Sequence, residues 1–181
     1  MVGLVAALAG TARAEAPATA TATEDGQHVF AVSGTVGWYS GLGGGVRIGT
    51  GRAGVHLLAG WQPLVVAVKE DPPRLNLDFH STLQGSADVY LLLLRTTERA
   101  EVGLTGGYKY STHLGHGAGL GAYVEIDGHA RRSIFILAGV LWFPRGETRL
   151  REKEGYPPAT EFAFPGPSFS YSASVGLSFF P

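Results

Sequence analysis

Arg47, His56, His80, Gln84, Asp88, Glu101, Lys109 and Glu125 share one parity in runs that alternate apolar with small or polar residues. On an extended chain that parity is one face. The rest of this face is mainly Gly, Ser and Thr. Charges placed together in a low-dielectric interior must pair. The expected product is a mutually satisfied polar core, although the same groups can also line a narrow pore or a proton path. Which acid pairs with Arg47 or Lys109 stays open at this level. A second chemistry-bearing stretch is Tyr108–Gly121. Its glycines 117, 119 and 121 lack the strand–helix context that a phosphate-binding loop needs. His113 and His116 can ligate metal, but no acidic or Cys companion lies nearby in the chain, so exposed loop histidines and no metal or other cofactor are expected. Ser111, His113 and Glu125 supply the types for a nucleophile, a base and an orienting carboxylate, although Glu125 carries the inward parity. Arg145–Glu154 is a dense run of mixed charge, expected to be a solvated loop. Its Arg145, Arg149, Arg151 and Lys153 can meet phosphate groups.

The elements that must hold these residues read as strands. Alternation recurs over His28–Tyr39, Leu42–Gly49, Ala53–Gln62, Asp78–Arg95, Ala100–Ser111, Gly117–Ile126, Arg132–Phe143 and Phe169–Phe179. The seventh is less clean, being apolar on both faces. The last is the cleanest: Phe169, Tyr171, Ala173, Val175, Leu177 and Phe179 oppose Ser170, Ser172, Ser174, Gly176 and Ser178. No helical periodicity follows Gln27. Connections after even strands are tight, whereas Pro63–Leu77 and Pro144–Gly166, after odd strands, are long and rich in Pro and charge. The odd strands end on aromatics: Trp38, Tyr39, Trp61, Tyr108, Tyr110, Trp142 and Phe143, a set that holds all three tryptophans.

Composition agrees. Charged residues are 16% of 181, below the roughly 25% of typical soluble domains. Glycine, at 27, is about twice its usual share. A formal net charge of −1 with no basic cluster to compensate argues against a nucleic-acid partner, and the absence of cysteine excludes disulfides and thiolate metal sites. Val2–Gly10 followed by Ala12-Arg13-Ala14 reads as an apolar segment and cleavage site of a signal peptide over 1–14, without the usual positive start. The Ala/Thr-rich segment 15–27 has nothing to pack and is expected to be flexible. The remaining unit is 28–181.

An export signal, eight strands, aromatic ends and a final aromatic strand together resemble the small OmpA/OmpX-type barrels of the Gram-negative outer membrane. The resemblance implies an all-β fold, an eight-stranded antiparallel up-and-down transmembrane β-barrel with both termini periplasmic, in contact with outer-membrane lipid and lipopolysaccharide. It implies an aromatic girdle at the outer interface. It also implies recognition of Tyr171, Val175, Leu177 and Phe179 by the barrel-assembly machinery, with Phe180-Pro181 as an overhang. Such a barrel has a structural or surface-interaction role and no catalysis. Ala118-Gly119-Leu120 also resembles the end of the signature of outer-membrane lipid A deacylases, but Leu114 and His116 stand where that signature needs His and Ser. A lipid-modifying esterase is therefore the alternative function, and a narrow porin-like pore the third.

Overall fold

Period-two alternation becomes a ring of strands. The computed structural model describes residues 28–38, 41–50, 52–70, 74–128, 131–163 and 166–181. The expected signal peptide, the Ala/Thr segment and Tyr39 lie outside the described residues. The strands are β1 (His28–Trp38), β2 (Gly41–Thr50), β3 (Ala53–Glu70), β4 (Arg74–Thr97), β5 (Ala100–Ser111), β6 (Gly115–Asp127), β7 (Arg132–Trp142), the two-residue β8 (Glu161–Phe162) and β9 (Phe169–Phe179); α1 is Gly146–Glu154. Every pairing is antiparallel. Successive strands β1 to β7 pair in order, and β9 pairs with both β7 and β1, so eight strands close on themselves and β8 lies outside the ring against β3.

Side-chain parity decides what each face holds. Ala31, Ser33, Thr35, Arg47, His56, Asp88, Tyr90, Tyr123, Glu125, Phe135, Ser174 and Ser178 are buried inside the ring. Their sequence neighbours Val32, Ile48, Leu57, Val89, Val124, Ile134, Ile136, Val175 and Leu177 point outward, and most of them are exposed. The two-sided apolar character of β7 has a reason: Phe135 and Leu141 are inward and fully packed, while Ile134, Ile136, Val140 and Trp142 face out. Glycine on the inner face makes room for these rings. A Cβ on Gly176 would lie 2.2 Å from Phe135 Cζ and 2.6 Å from the Gly34 carbonyl oxygen, so Gly176→Ala must push buried atoms apart. Overpacking of this kind costs about 1–3 kcal/mol. Denaturant titration is expected to show that loss, and an unchanged midpoint would mean that Phe135 can give way freely.

Two of the expected loops are structured. Pro63–Glu70 and Arg74–Leu77 are strand: β3 and β4 run on as a pair, with Pro63 opposite Ser81 and Glu70 opposite Arg74. β2 stops pairing with β3 at Trp61, so from there until β8 joins at Val68 β3 is an edge, where proline's missing N–H is tolerated. Alternating Leu64, Val66 and Val68 then carry the strand forward and pack with Leu114, Leu141, Phe143 and Leu150 at this end of the ring. The second, Pro144–Gly166, contains α1 and β8. α1 lacks a side-chain N-cap bond and ends on Gly155, whose φ of 73° is the left-handed conformation that favours glycine at a helix end. Arg151 holds the turn that follows. It donates to Glu147 Oε1 at 2.6 Å and to the Pro157 carbonyl at 2.7 Å, it also donates to the Thr160 carbonyl, and it sits 4.7 Å over the Phe162 ring. Thus the charge run expected to be a solvated loop is a helix that folds back over one end of the ring, with most of its charged residues exposed.

Candidate functional site

The polar residues expected to share an interior form two groups at different heights. At the end of the ring that carries the tight turns, Arg47 of β2 pairs with Glu125 of β6, both side chains almost wholly buried. The guanidinium lies 4.3 Å over the Tyr90 ring and 5.9 Å from that of Tyr123, and Ser133 donates to Glu125 at 2.7 Å. Tyr90, Tyr123 and Phe135 stack in series, at 5.3 and 6.2 Å between centroids, and His56 meets the Phe135 edge at 4.9 Å. Higher up, Lys109 of β5 donates to Asp88 of β4 at 2.6 Å. So Arg47 pairs with Glu125 and Lys109 with Asp88, and an aromatic layer fills the space between walls. Gln84 is buried at the same parity, while Glu101 is half-buried opposite Glu125. The aromatic layer was hidden in the sequence because Tyr90, Tyr123 and Phe135 belong to three strands and carry no local signal.

The end rim tests the expected aromatic set. Trp38, Trp61, Tyr108 and Trp142 are exposed on the outer face, with Tyr110 half-exposed beside His116. Phe143 differs: it follows the outward Trp142, so its parity is inward, and it is fully buried in the cluster under α1. Tyr171, Val175, Leu177 and Phe179 line the outer face of β9. Phe180 is no overhang, because its N–H donates to the Arg131 carbonyl at 2.9 Å and its ring lies 6.0 Å from the Arg47 guanidinium.

The esterase set does not assemble. Ser111 is fully buried, and its hydroxyl accepts from the backbone N–H groups of His113 and Leu114 and lies 3.1 Å from Thr82 Oγ1. Glu125 is ten residues along β6 from the Gly115 that pairs with Ser111, about 33 Å at 3.3 Å per residue. His116 is exposed on the outer face and hydrogen-bonds the Tyr108 hydroxyl. It takes no part with His113.

His113 meets other partners. At the capped end, His80 of β4, His113 of the β5–β6 turn and Glu154, the last residue of α1, converge. Glu154 places one carboxylate oxygen 3.0 Å from His113 Nε2 and the other 3.1 Å from His80 Nδ1. The far nitrogen of His80 is 2.9 Å from the Tyr156 hydroxyl, which donates to Asp78 Oδ2 at 2.6 Å. His113 Nδ1 lies 3.3 Å from Thr112 Oγ1. Lys153 fastens the same helix end by donating to the Thr112 carbonyl at 3.2 Å. Burial, then the nearby Lys153 ammonium, lowers the His113 pKa, with Glu154 acting the other way. Burial and the Asp78 carboxylate raise that of Tyr156, which therefore keeps its proton. No protein-family model, curated protein or solved structure matches the chain. Neither His80 nor Glu154 could be joined to His113 from the sequence, since the three reach one another only through the β3–β4 extension and the unexpected helix.

Proposed function

We propose that this chain is an outer-membrane β-barrel with a structural or surface-interaction role, its bore filled by its own side chains. One observation carries the reading, the inversion of the two faces. The outer face of the ring exposes Leu42 at 71%, Leu120 at 65% and Val89 at 60%, whereas Arg47 inside is 2% exposed. In water such an exterior is one continuous apolar patch far larger than soluble proteins tolerate. In a bilayer it is the expected wall, with charge confined to the interior. The apolar stretch of β9 from Tyr171 to Phe179 is nine residues long, which matches the 9–11 that a tilted strand needs to cross a bilayer. Trp38, Trp61, Tyr108 and Trp142 at one rim, and Phe30 and Phe179 at the other, are placed as interfacial aromatics. The likeness to OmpA/OmpX-type barrels, with both termini periplasmic, belongs to this same reading. It puts α1 and the β3–β4 hairpin on the outer surface as the parts that meet lipopolysaccharide or other surface partners.

The two interior ion pairs and the Tyr90–Tyr123–Phe135 stack favour a closed bore over a pore. Expression with cell fractionation tests the assignment. The protein is expected in the outer-membrane fraction, with an unheated gel band that migrates apart from the boiled one. Soluble protein with identical boiled and unheated mobility would overturn it.

A further inference from the structure

We propose that His80, His113 and Glu154 form a binding site for one divalent transition metal of zinc type, which ties α1 to the strands beneath it. A phenol has one proton, and Tyr156 gives its own to Asp78. Tyr156 can therefore only accept from His80, which makes Nε2 the protonated nitrogen of that ring. In a neutral ring the other nitrogen, Nδ1, then carries the lone pair. That lone pair faces a Glu154 oxygen at 3.1 Å, and an oxygen lone pair against a nitrogen lone pair at that distance is repulsive. Something positive must lie between them.

A bare proton on Nδ1 would meet the need at His80 alone. A metal ion meets it at His80 and also reaches His113 Nε2, which lies 3.0 Å from the same carboxylate, with Glu154 giving one oxygen as ligand. The donor atoms fit. All three lie within 4.8 Å of one another, and the two N–O separations are close to the roughly 3.3 Å edge of a tetrahedron with bonds of about 2.0–2.1 Å. Two imidazoles and one carboxylate are a zinc-type set rather than the all-oxygen set that calcium or magnesium prefers.

The surroundings are also those of a metal site. A ligating histidine ordinarily donates its second N–H to a group that orients the ring. Here His80 Nε2–H, the Tyr156 hydroxyl and the Asp78 carboxylate form that relay in series. The Thr112 hydroxyl stands beside Nδ1 of His113 in the equivalent place. Three protein ligands leave one position of a tetrahedron for water or an outside ligand. The inference does not depend on membrane placement, because the cluster lies at the end of the ring, beyond Leu83 and Trp61.

Zinc titration of the folded, metal-stripped full chain, followed by calorimetry and by elemental analysis after dialysis, tests the site. One equivalent is expected to bind, with calcium and magnesium failing to displace it. His80→Ala, His113→Ala and Glu154→Gln are each expected to weaken binding by about 100-fold or more, and Tyr156→Phe by about 10- to 100-fold through loss of the orienting hydroxyl. His116→Ala, at the exposed histidine, is expected to bind as the parent does. Each variant's circular dichroism reports whether it folds, and Co²⁺ absorption on the parent reports the coordination directly. The proposal is overturned if the folded parent binds no stoichiometric zinc, if Glu154→Gln folds and binds as the parent does, or if His116→Ala removes binding as His113→Ala does.

Discussion

Arg47→Met is expected to destabilise the fold by about 3–5 kcal/mol, the usual consequence of leaving one partner of a buried ion pair behind. Glu125 would be left buried with only Ser133 Oγ donating to it, since the guanidinium is its other partner. The aromatic face of Tyr90 would also lose the cation that sits 4.3 Å above it. The decisive comparison is the double variant Arg47→Met/Glu125→Gln. Removing both charges restores neutrality, so most of the loss is expected to return, and the mutant cycle should show the two substitutions to be strongly non-additive. Folding and unfolding in detergent, followed by gel mobility across a urea series, reads all four corners. Equal stability of Arg47→Met and the parent would mean that the pair is solvated and the interior is open.

Val89→Arg separates a lipid-facing wall from a water-facing one. Val89 is 60% exposed on β4, midway between Leu83, which pairs with Trp61, and the turn that leads to β5. In water an exposed valine replaced by arginine stays within about 0.5 kcal/mol and improves solubility. At the midplane of a bilayer the same change costs about 2–4 kcal/mol. Refolding into lipid vesicles is expected to show the larger loss, with a smaller one for the same change at Trp38 near the rim. A neutral effect at Val89 in vesicles would remove the membrane reading while leaving the ring of strands intact.

What the sequence could yield depended on how local the physics is. Strand alternation is decided by adjacent residues, and so β5 and β9 have the expected bounds, Ala100–Ser111 and Phe169–Phe179. α1 gave no such signal, because only Gly146 and Leu150 are buried and there is no apolar stripe. The clues were Glu147 and Arg151 four residues apart and a glycine at 155, and the turn that Arg151 staples lies beyond the helix. Pro63 concealed the β3 extension, since the exemption for an edge strand is visible only once β2 is known to have ended. Interior parity was legible for Arg47, His56, Asp88, Lys109 and Glu125, but the partners were not: Arg47 and Glu125 belong to strands far apart in the chain, and the register that brings Lys109 to Asp88 is set by shifts at Leu92/Leu94 and Arg95/Thr97. His80 and Glu154 belong to that same class of long-range facts.

The β1–β9 seam has a kinetic consequence. Its seven paired positions, Val32–Phe179 through Trp38–Ala173, join the first and last strands of the ring, so they close the longest loop in the sequence. Every other junction in the ring except β7–β9 joins consecutive strands and can form as a local hairpin. The entropy of bringing β1 to β9 must therefore be met after most of the sheet exists, when both end strands still show unpaired N–H and C=O groups. The half-built sheet is the aggregation-prone species, and the time spent before the seam zips, more than the strength of any single contact, sets how much of the chain reaches the finished ring.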